Sequence, residues 1–283
     1  MSDQDKQVEG DKLAAVDGSG EKIETEKGKS HHMDVGPGVI SIDLPCGYID
    51  PDDNLHDTLV VGEMTGYEED ILAGNGPIVP RLNQIISNCT QRFGDLTEKR
   101  DIDGAVRMMN APDRIAALIA IRRVSLGEFY DVKIECPACK EQSRFSLNLA
   151  GIDIVRMKEQ RVQNRTDTLE SGTVIKWHVM SAADEAWLTK RTKRKEDVLT
   201  LAMLARVDAV GDNKVEREGK EYKQALNLLK SLSIRERNEI RKLFSEFEGS
   251  VDTEIEFDCP VCQHEWKADM DIGQAGFFFP SDM

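Results

Sequence analysis

Two short stretches constrain this chain more than any others: Cys136-Pro137-Ala138-Cys139 and, far downstream, Cys259-Pro260-Val261-Cys262. A C-x-x-C pair on a tight turn aims two thiolates at one point, and two such pairs supply the four soft ligands of a tetrahedral zinc ion. The flanks of the pairs match as well. Tyr130, Val132 and Ile134 alternate with polar residues before the first pair, and Phe145, Leu147 and Leu149 alternate after it. Thr253, Ile255 and Phe257 precede the second pair, and Trp266, Ala268, Met270 and Ile272 follow it. Each stretch reads as a β-hairpin with a cysteine turn at its tip.

Residues 140 to 258 separate the pairs, many times the roughly 15 to 20 residues of ordinary ribbon spacing. Either the hairpins face each other across a long insertion and share one ion, or each pair holds half a site that another subunit completes. Four thiolates in one chain satisfy the metal unaided, which favours the shared site. The bland alternative is two reduced thiol pairs in turns. A redox C-x-x-C is disfavoured, because such motifs sit between a strand and a helix.

The stretches between the pairs suggest a duplication. Thr65 and Glu68 form a capping-box signal ahead of a two-turn helix that stops at Gly74, and Ser181 with Asp184 restores that signal later. Aligning Met64 with Met180, an offset of 116, matches Thr65 to Ser181, Glu69 to Glu185 and Leu72 to Leu188. Aligning Cys136 with Cys259 gives an offset of 123. Leu82, Ile85, Ile86, Cys89 and Phe93 make an apolar helical stripe that puts Cys89 in a core. Asn110 and Asp113 mark a further helix start, and that helix is apolar on nearly every side from Ile115 to Leu126. Ser233 and Glu236 form another capping box, before Ile240, Leu243, Phe244 and Phe247. The expected fold is α+β: two pseudo-repeated units of short strands, helices and a cysteine-tipped hairpin, joined at one zinc-ribbon-like site of Cys136, Cys139, Cys259 and Cys262.

Composition sets the boundaries. Residues 1–38 carry nine acidic and five basic side chains and almost no bulky apolar residue, so an acidic, disordered tail with solvated His31 and His32 is expected. The first repeat then spans 39–155 and the second 156–283. No apolar run approaches the roughly 20 residues of a membrane helix, and no signal-peptide core is visible, so no membrane partner is expected. Six cysteines without a secretory signal fit a reducing compartment. The formal charge of −15 opposes general affinity for nucleic acid. The one dense basic run, Lys190, Arg191, Lys193, Arg194 and Lys195, lacks interleaved aromatics and reads as a solvated face or the rim of an acidic protein partner's site.

Catalytic signals are missing: there is no Gly-rich phosphate loop, no G-x-S-x-G and no H-E-x-x-H. A site closed by four thiolates leaves no open position for substrate, so the zinc is read as structural. His264 stands where it could reach a metal-bound sulfur. Cys46, in the turn Leu44-Pro45-Cys46-Gly47, is read as a turn residue, since a fifth ligand would overfill the site.

The Leu-Pro-x-Gly turn, the capped helices ending in Ile71-Leu72 and Trp187-Leu188, the two distant C-P-x-C turns and the ending Gly276-Phe277-Phe278-Phe279-Pro280-Ser281 resemble the baseplate hub and tail assembly proteins of tailed bacteriophages, of the T-even type. The resemblance covers about residues 40–283. Where a glycine usually follows such a knuckle, Lys140 and Gln263 stand here, so the turn must carry a side chain at positive φ. The resemblance implies a non-enzymatic structural or assembly protein of the phage tail, present in the cytoplasm of the infected host or in the virion tail. Its implied partners are other tail or baseplate proteins, with the tape-measure protein a candidate. The competing class is a zinc-ribbon regulator that binds nucleic acid. Phe277, Phe278 and Phe279 are consecutive, and neither a strand nor a helix buries all three on one face. At least one must find another home: one or more of the rings is expected to insert into a pocket on a neighbouring tail protein, with folding back onto the zinc hairpins as the alternative.

Overall fold

The structure, a computed structural model, describes residues 13–16, 22–25, 32–192, 197–270, 272 and 275–279. Strands β1 (Leu13–Val16) and β2 (Lys22–Thr25) pair with each other. The first large sheet runs antiparallel in sequence order through β3 (His32–Gly36), β4 (Val39–Ile49), β5 (Leu55–Gly62) and β6 (Thr90–Phe93). Composition assigned residues up to 38 to an unstructured tail, but β3 belongs to this sheet. Gly38, at φ +69, makes the tight turn that folds β3 back along β4. Strands β1 and β2 also fall within the expected tail, whereas residues 1–12, 17–21 and 26–31, with His31, and the His32 side chain lie outside the described residues.

Between β5 and β6 come α1 (Gly66–Ala73) and α2 (Ile78–Cys89). The capping box of α1 is present: Thr65 donates its backbone N–H to Glu68 Oε2 at 2.9 Å, and its hydroxyl accepts from the first turn. Helix α2 buries Leu82, Ile85, Ile86 and Cys89, but it stops at Cys89 rather than running on to Phe93. Thr90 is β-branched, and its hydroxyl donates to the Ile86 carbonyl at 2.6 Å as the chain leaves the helix. The next residues gain a ladder against β5, with Phe93 opposite Leu59, and Phe93 still reaches the core.

Helices α3 (Lys99–Met108) and α4 (Ala111–Leu126) follow, and α4 is buried continuously from Ala116 to Arg123. It leads into the hairpin of β7 (Phe129–Glu135) and β8 (Gln142–Asn148). The chain then passes through β9 (Ile154–Val155) into a second antiparallel sheet of β10 (Asn164–Thr168), β11 (Val174–His178), β12 (Val207–Val210) and β13 (Asn213–Lys214). Helices α5 (Ala182–Thr192) and α6 (Val198–Leu204) lie between β11 and β12. After them come α7 (Tyr222–Ser231), α8 (Ile234–Phe247), and β14 (Ser250–Val251), which pairs with β9. The second hairpin, β15 (Glu254–Asp258) with β16 (Glu265–Asp269), and α9 (Ala275–Phe278) complete the order. Among the described residues no helix is long and apolar enough to cross a membrane.

Apolar side chains gather in two clusters. One is built on Trp177, Leu204, Leu229, Ile240 and Phe244 and is confined to the second sheet and its helices. The other takes in the first sheet, α2 to α4, both cysteine hairpins and the C-terminal phenylalanines. The second hairpin therefore crosses back to pack on the first half. The halves also meet where Glu185 accepts from the Ala111 N–H at 2.7 Å and pairs with Arg114, and where Met157 N–H donates to the Pro45 carbonyl at 2.8 Å. Gly249 sits so close to Pro45 that a Cβ there would lie 2.5 Å from the Pro45 carbonyl carbon, which only glycine permits.

Helix α4 starts where Asn110 and Asp113 indicated, yet Asn110 makes no side-chain cap. Asp113 instead turns inward. Its Oδ1 accepts from the Cys46 N–H at 2.7 Å, which holds the Leu44-Pro45-Cys46-Gly47 turn, and its Oδ2 finds no hydrogen-bond partner. Burial pushes its carboxyl up to about 7, against the opposing pull of the Cys46 and Gly47 amides and Arg114. An acid whose folded pKa exceeds the unfolded value near 3.8 binds more protons when folded, so stability falls as pH rises from about 4 through 7. Asp113→Asn should flatten that part of the stability curve and gain on wild type above pH 7, by on the order of 4 kcal/mol at most. Urea titrations of both proteins at pH 6 and pH 8 check this; equal losses between the two pH values would show that Asp113 is not the group responsible.

Candidate metal centre

Each cysteine turn is built by the same two backbone bonds. In the first, Cys136 N–H donates to the Glu141 carbonyl at 2.9 Å, and Lys140 N–H donates to the Cys136 carbonyl at 3.0 Å. In the second, Cys259 N–H donates to the His264 carbonyl at 3.0 Å, and Gln263 N–H donates to the Cys259 carbonyl at 2.9 Å. This winding forces the residue after each pair into the left-handed region, with Lys140 at φ +64 and Gln263 at φ +57, as the missing glycines implied. Lys140→Gly and Gln263→Gly should each stabilise the protein by about 1 kcal/mol, since glycine carries no Cβ penalty there. Thermal unfolding of the single mutants is the check, and a lowered midpoint in both would show that the turns are unstrained.

The two turns meet. Cys136 Sγ lies 3.7 Å from Cys262 Sγ, and Cys139 Sγ lies 3.6 Å from Cys259 Sγ. All four sulfurs fall within 4.8 Å of one another. Ligands about 2.3 Å from a tetrahedral zinc stand about 3.8 Å apart, so the spacing fits such an ion. Cys136 and Cys259 are 1% and 2% exposed, whereas Cys139 and Cys262 face solvent.

The electrostatics of the bare thiols differ from one cysteine to another. The Cys262 backbone N–H, helped by that of Val261, holds the Cys259 thiol down to about 7. The Glu141 amide favours a Cys139 thiolate too, but desolvation and the neighbouring sulfurs outweigh it and push Cys139 up to about 12. The turn amides thus favour charge on Cys259, and the neighbouring sulfurs oppose it on Cys139.

Behind the sulfurs the hairpins share an aromatic cluster. The Phe145 ring lies 4.9 Å from that of Phe257, edge to face, and 6.0 Å from Trp266, while Phe257 and Trp266 stack at 5.5 Å. His264 stacks over Trp266 at an interplanar angle of 10°, and it is the backbone amide of His264 that bonds the Cys262 sulfur. Cys46 and Cys89 lie apart from the cluster, each buried.

In the C-terminal triplet two of the three rings fold back into the interior, the alternative to a partner anchor. Phe277 and Phe278 are 1% and 2% exposed in the core shared with the hairpins, and Phe279 is half-buried against it. Arg122, itself buried, fixes them: its Nε donates to the Phe277 carbonyl at 2.9 Å, while its Nη atoms reach the Gly127 and Phe129 carbonyls at 3.3 and 3.4 Å. Its guanidinium also lies 5.0 Å from the Tyr130 ring centroid and 5.6 Å from that of Phe277. Nothing in the sequence singled out Arg122; the Arg122-Arg123 pair inside an apolar run was the available signal. In the basic run, Arg191 lies 4.2 Å over Trp187 and pairs with Glu218, while Lys193, Arg194 and Lys195 lie outside the described residues.

Taken together, this is a mixed helix and sheet protein whose halves are brought together at a four-cysteine cluster. Residues 65–279 match the family of T4 bacteriophage base plate proteins, and the chain belongs to that family. The match takes in both cysteine turns and the buried phenylalanines, but leaves out the Leu44-Pro45-Cys46-Gly47 turn. Neither curated proteins nor solved structures give a match.

Proposed function

We propose that this protein is a non-enzymatic structural or assembly component of the phage tail baseplate, working through contacts with other tail proteins and held in shape by one structural zinc. The observation that carries the proposal is the family match across residues 65–279, which includes every candidate ligand. The zinc-ribbon reading is supported by the two knuckle-like turns and the sulfur spacing. A site with four protein ligands lacks the open position that catalytic zinc requires, which supports a structural role.

An internal duplication, with repeats at 39–155 and 156–283, accounts for the long gap between the cysteine pairs. Its support is the order of a strand pair, two helices, a third strand, two more helices and a cysteine hairpin, found in both halves with β13 and β14 added in the second. Arg114 and Arg237, 123 residues apart like the cysteines, also do the same work. Each donates from Nη1 to a carbonyl at the end of the preceding helix, Met109 at 2.5 Å and Leu229 at 2.6 Å.

With Phe277 and Phe278 occupied internally, docking by the triplet narrows to Phe279. The tape-measure protein remains a candidate partner. Tagged protein expressed during infection should co-purify with baseplate proteins, and mass spectrometry of purified virions tells whether it stays in the particle. Recovery of the protein alone, free of any tail protein, would overturn the assembly reading. Phe279→Ala should weaken that association while leaving the folded, metal-loaded protein intact. Unchanged co-purification would remove Phe279 from the interface.

A further inference from the structure

Within a cluster whose four sulfurs all lie within 4.8 Å of one another, two contacts join one hairpin to the other and an exposed cysteine to a buried one: Cys262 with Cys136 at 3.7 Å, and Cys139 with Cys259 at 3.6 Å. The sulfur a solute reaches first therefore has a buried partner within 3.7 Å across the junction. We infer that the centre is also an oxidative modification site, at which a peroxide-class oxidant converts the metal-free thiols into two disulfides across the hairpins, Cys136–Cys262 and Cys139–Cys259. The inference rests on the shared four-cysteine site proposed above.

The chemistry balances without any further reactant. In each pair one thiol gives up its proton and its sulfur attacks one oxygen of hydrogen peroxide; the O–O bond breaks and the departing hydroxide takes up that proton as water, leaving a sulfenic acid. The paired sulfur then attacks that sulfur, the S–O bond breaks, and the hydroxide leaves with the second thiol's proton as a second water as the S–S bond forms. Per pair, two thiols lose two electrons and one peroxide gives two waters. The sulfurs must close from 3.6–3.7 Å to about 2.05 Å, a movement that two short turns on separate hairpins can share. Cys46 and Cys89 stay out of the reaction because both are buried and neither belongs to the cluster.

The consequence is specific to this chain. Disulfides within each C-x-x-C would close only the turns, whereas the cross pairs tie residues more than a hundred positions apart and keep the junction closed after the metal has gone. Oxidation would thus trade one fastener for another and leave the halves joined.

The test uses the full chain. Zinc is first measured in the protein as purified; the metal is then removed with a chelator, two equivalents of hydrogen peroxide are added, and free thiols are alkylated before non-reducing peptide mapping. Expected are Cys136–Cys262 and Cys139–Cys259 cross-linked peptides, alkylated Cys46 and Cys89, and a thermal midpoint above that of the reduced metal-free protein. In Cys136→Ser, the Cys139–Cys259 peptide should persist while Cys262 stays unpaired. Pairs within each turn, links between chains, or four unreacted thiols would overturn the inference. The zinc measurement keeps the two ideas separate. Cross pairs in a protein purified without zinc would sink the metal and leave this site standing, whereas zinc-loaded protein that forms other pairs would do the reverse.

Discussion

Cys259→Ser is expected to release the metal and to loosen both hairpins together. Serine is a poor ligand for zinc, and the three remaining sulfurs leave the tetrahedral set one ligand short. Binding free energy at a structural zinc site is also folding free energy, on the order of 10 kcal/mol in zinc-finger peptides, so the loss should rival the entire stability of an ordinary domain. The damage will not stay in the second hairpin, because Phe257 and Trp266 pack on Phe145 of the first. Metal analysis should find one zinc per wild-type chain and none in the mutant. Hydrogen exchange should show β7, β8, β15 and β16 all deprotected, while β10 to β13, built on their own core, hold. Exposure of the second hairpin alone would mean that the hairpins are independent, and two ions per chain would rule out a shared centre.

The second large effect is expected at the C-terminus. Deleting residues 276–283 removes the wholly buried rings of Phe277 and Phe278 and leaves Arg122 without its best acceptor. Phe→Ala changes in a core cost about 3–5 kcal/mol each, and an unmet buried charge adds to that, so the truncated chain should be unfolded or close to it. Phe277→Ala alone should lower stability by about 3 kcal/mol or more, and Arg122→Met should separate packing from hydrogen bonding. Circular dichroism with urea melts decides the matter. A truncated protein with wild-type stability would show that the phenylalanines are dispensable to the fold and return all three to the partner interface.

Much of the candidate centre was legible because its signals are local. Two thiols at C-x-x-C spacing on a turn converge whatever the remainder does, and alternating residues such as Val132, Ile134, Ile255 and Phe257 write the hairpins directly into the chain. Helix starts at Thr65, Ser181 and Ser233 are equally local, since a cap is satisfied within one turn. The positive φ at Lys140 and Gln263 follows from the turn alone.

Signals that depended on distant partners were misread or invisible. Phe93 continues the spacing of α2 but lies in a strand, because a ladder with β5 was available in space. Asp113 stands at a helix start yet serves the Cys46 turn, 67 residues away, and Arg122 reaches Phe277 across 155. The sequence by itself determined that four cysteines occupy two hairpin tips, that the flanking helices begin where they do, and that three adjacent phenylalanines cannot share one face. Only the tertiary structure decided that the tips meet, that the second hairpin joins the core of the first half, and that Phe277 and Phe278 belong to the interior. Backbone turns and caps close over a few residues, so a short stretch encodes them completely. Burial is settled by which surfaces remain uncovered once every element is placed, and that is a property of the whole chain.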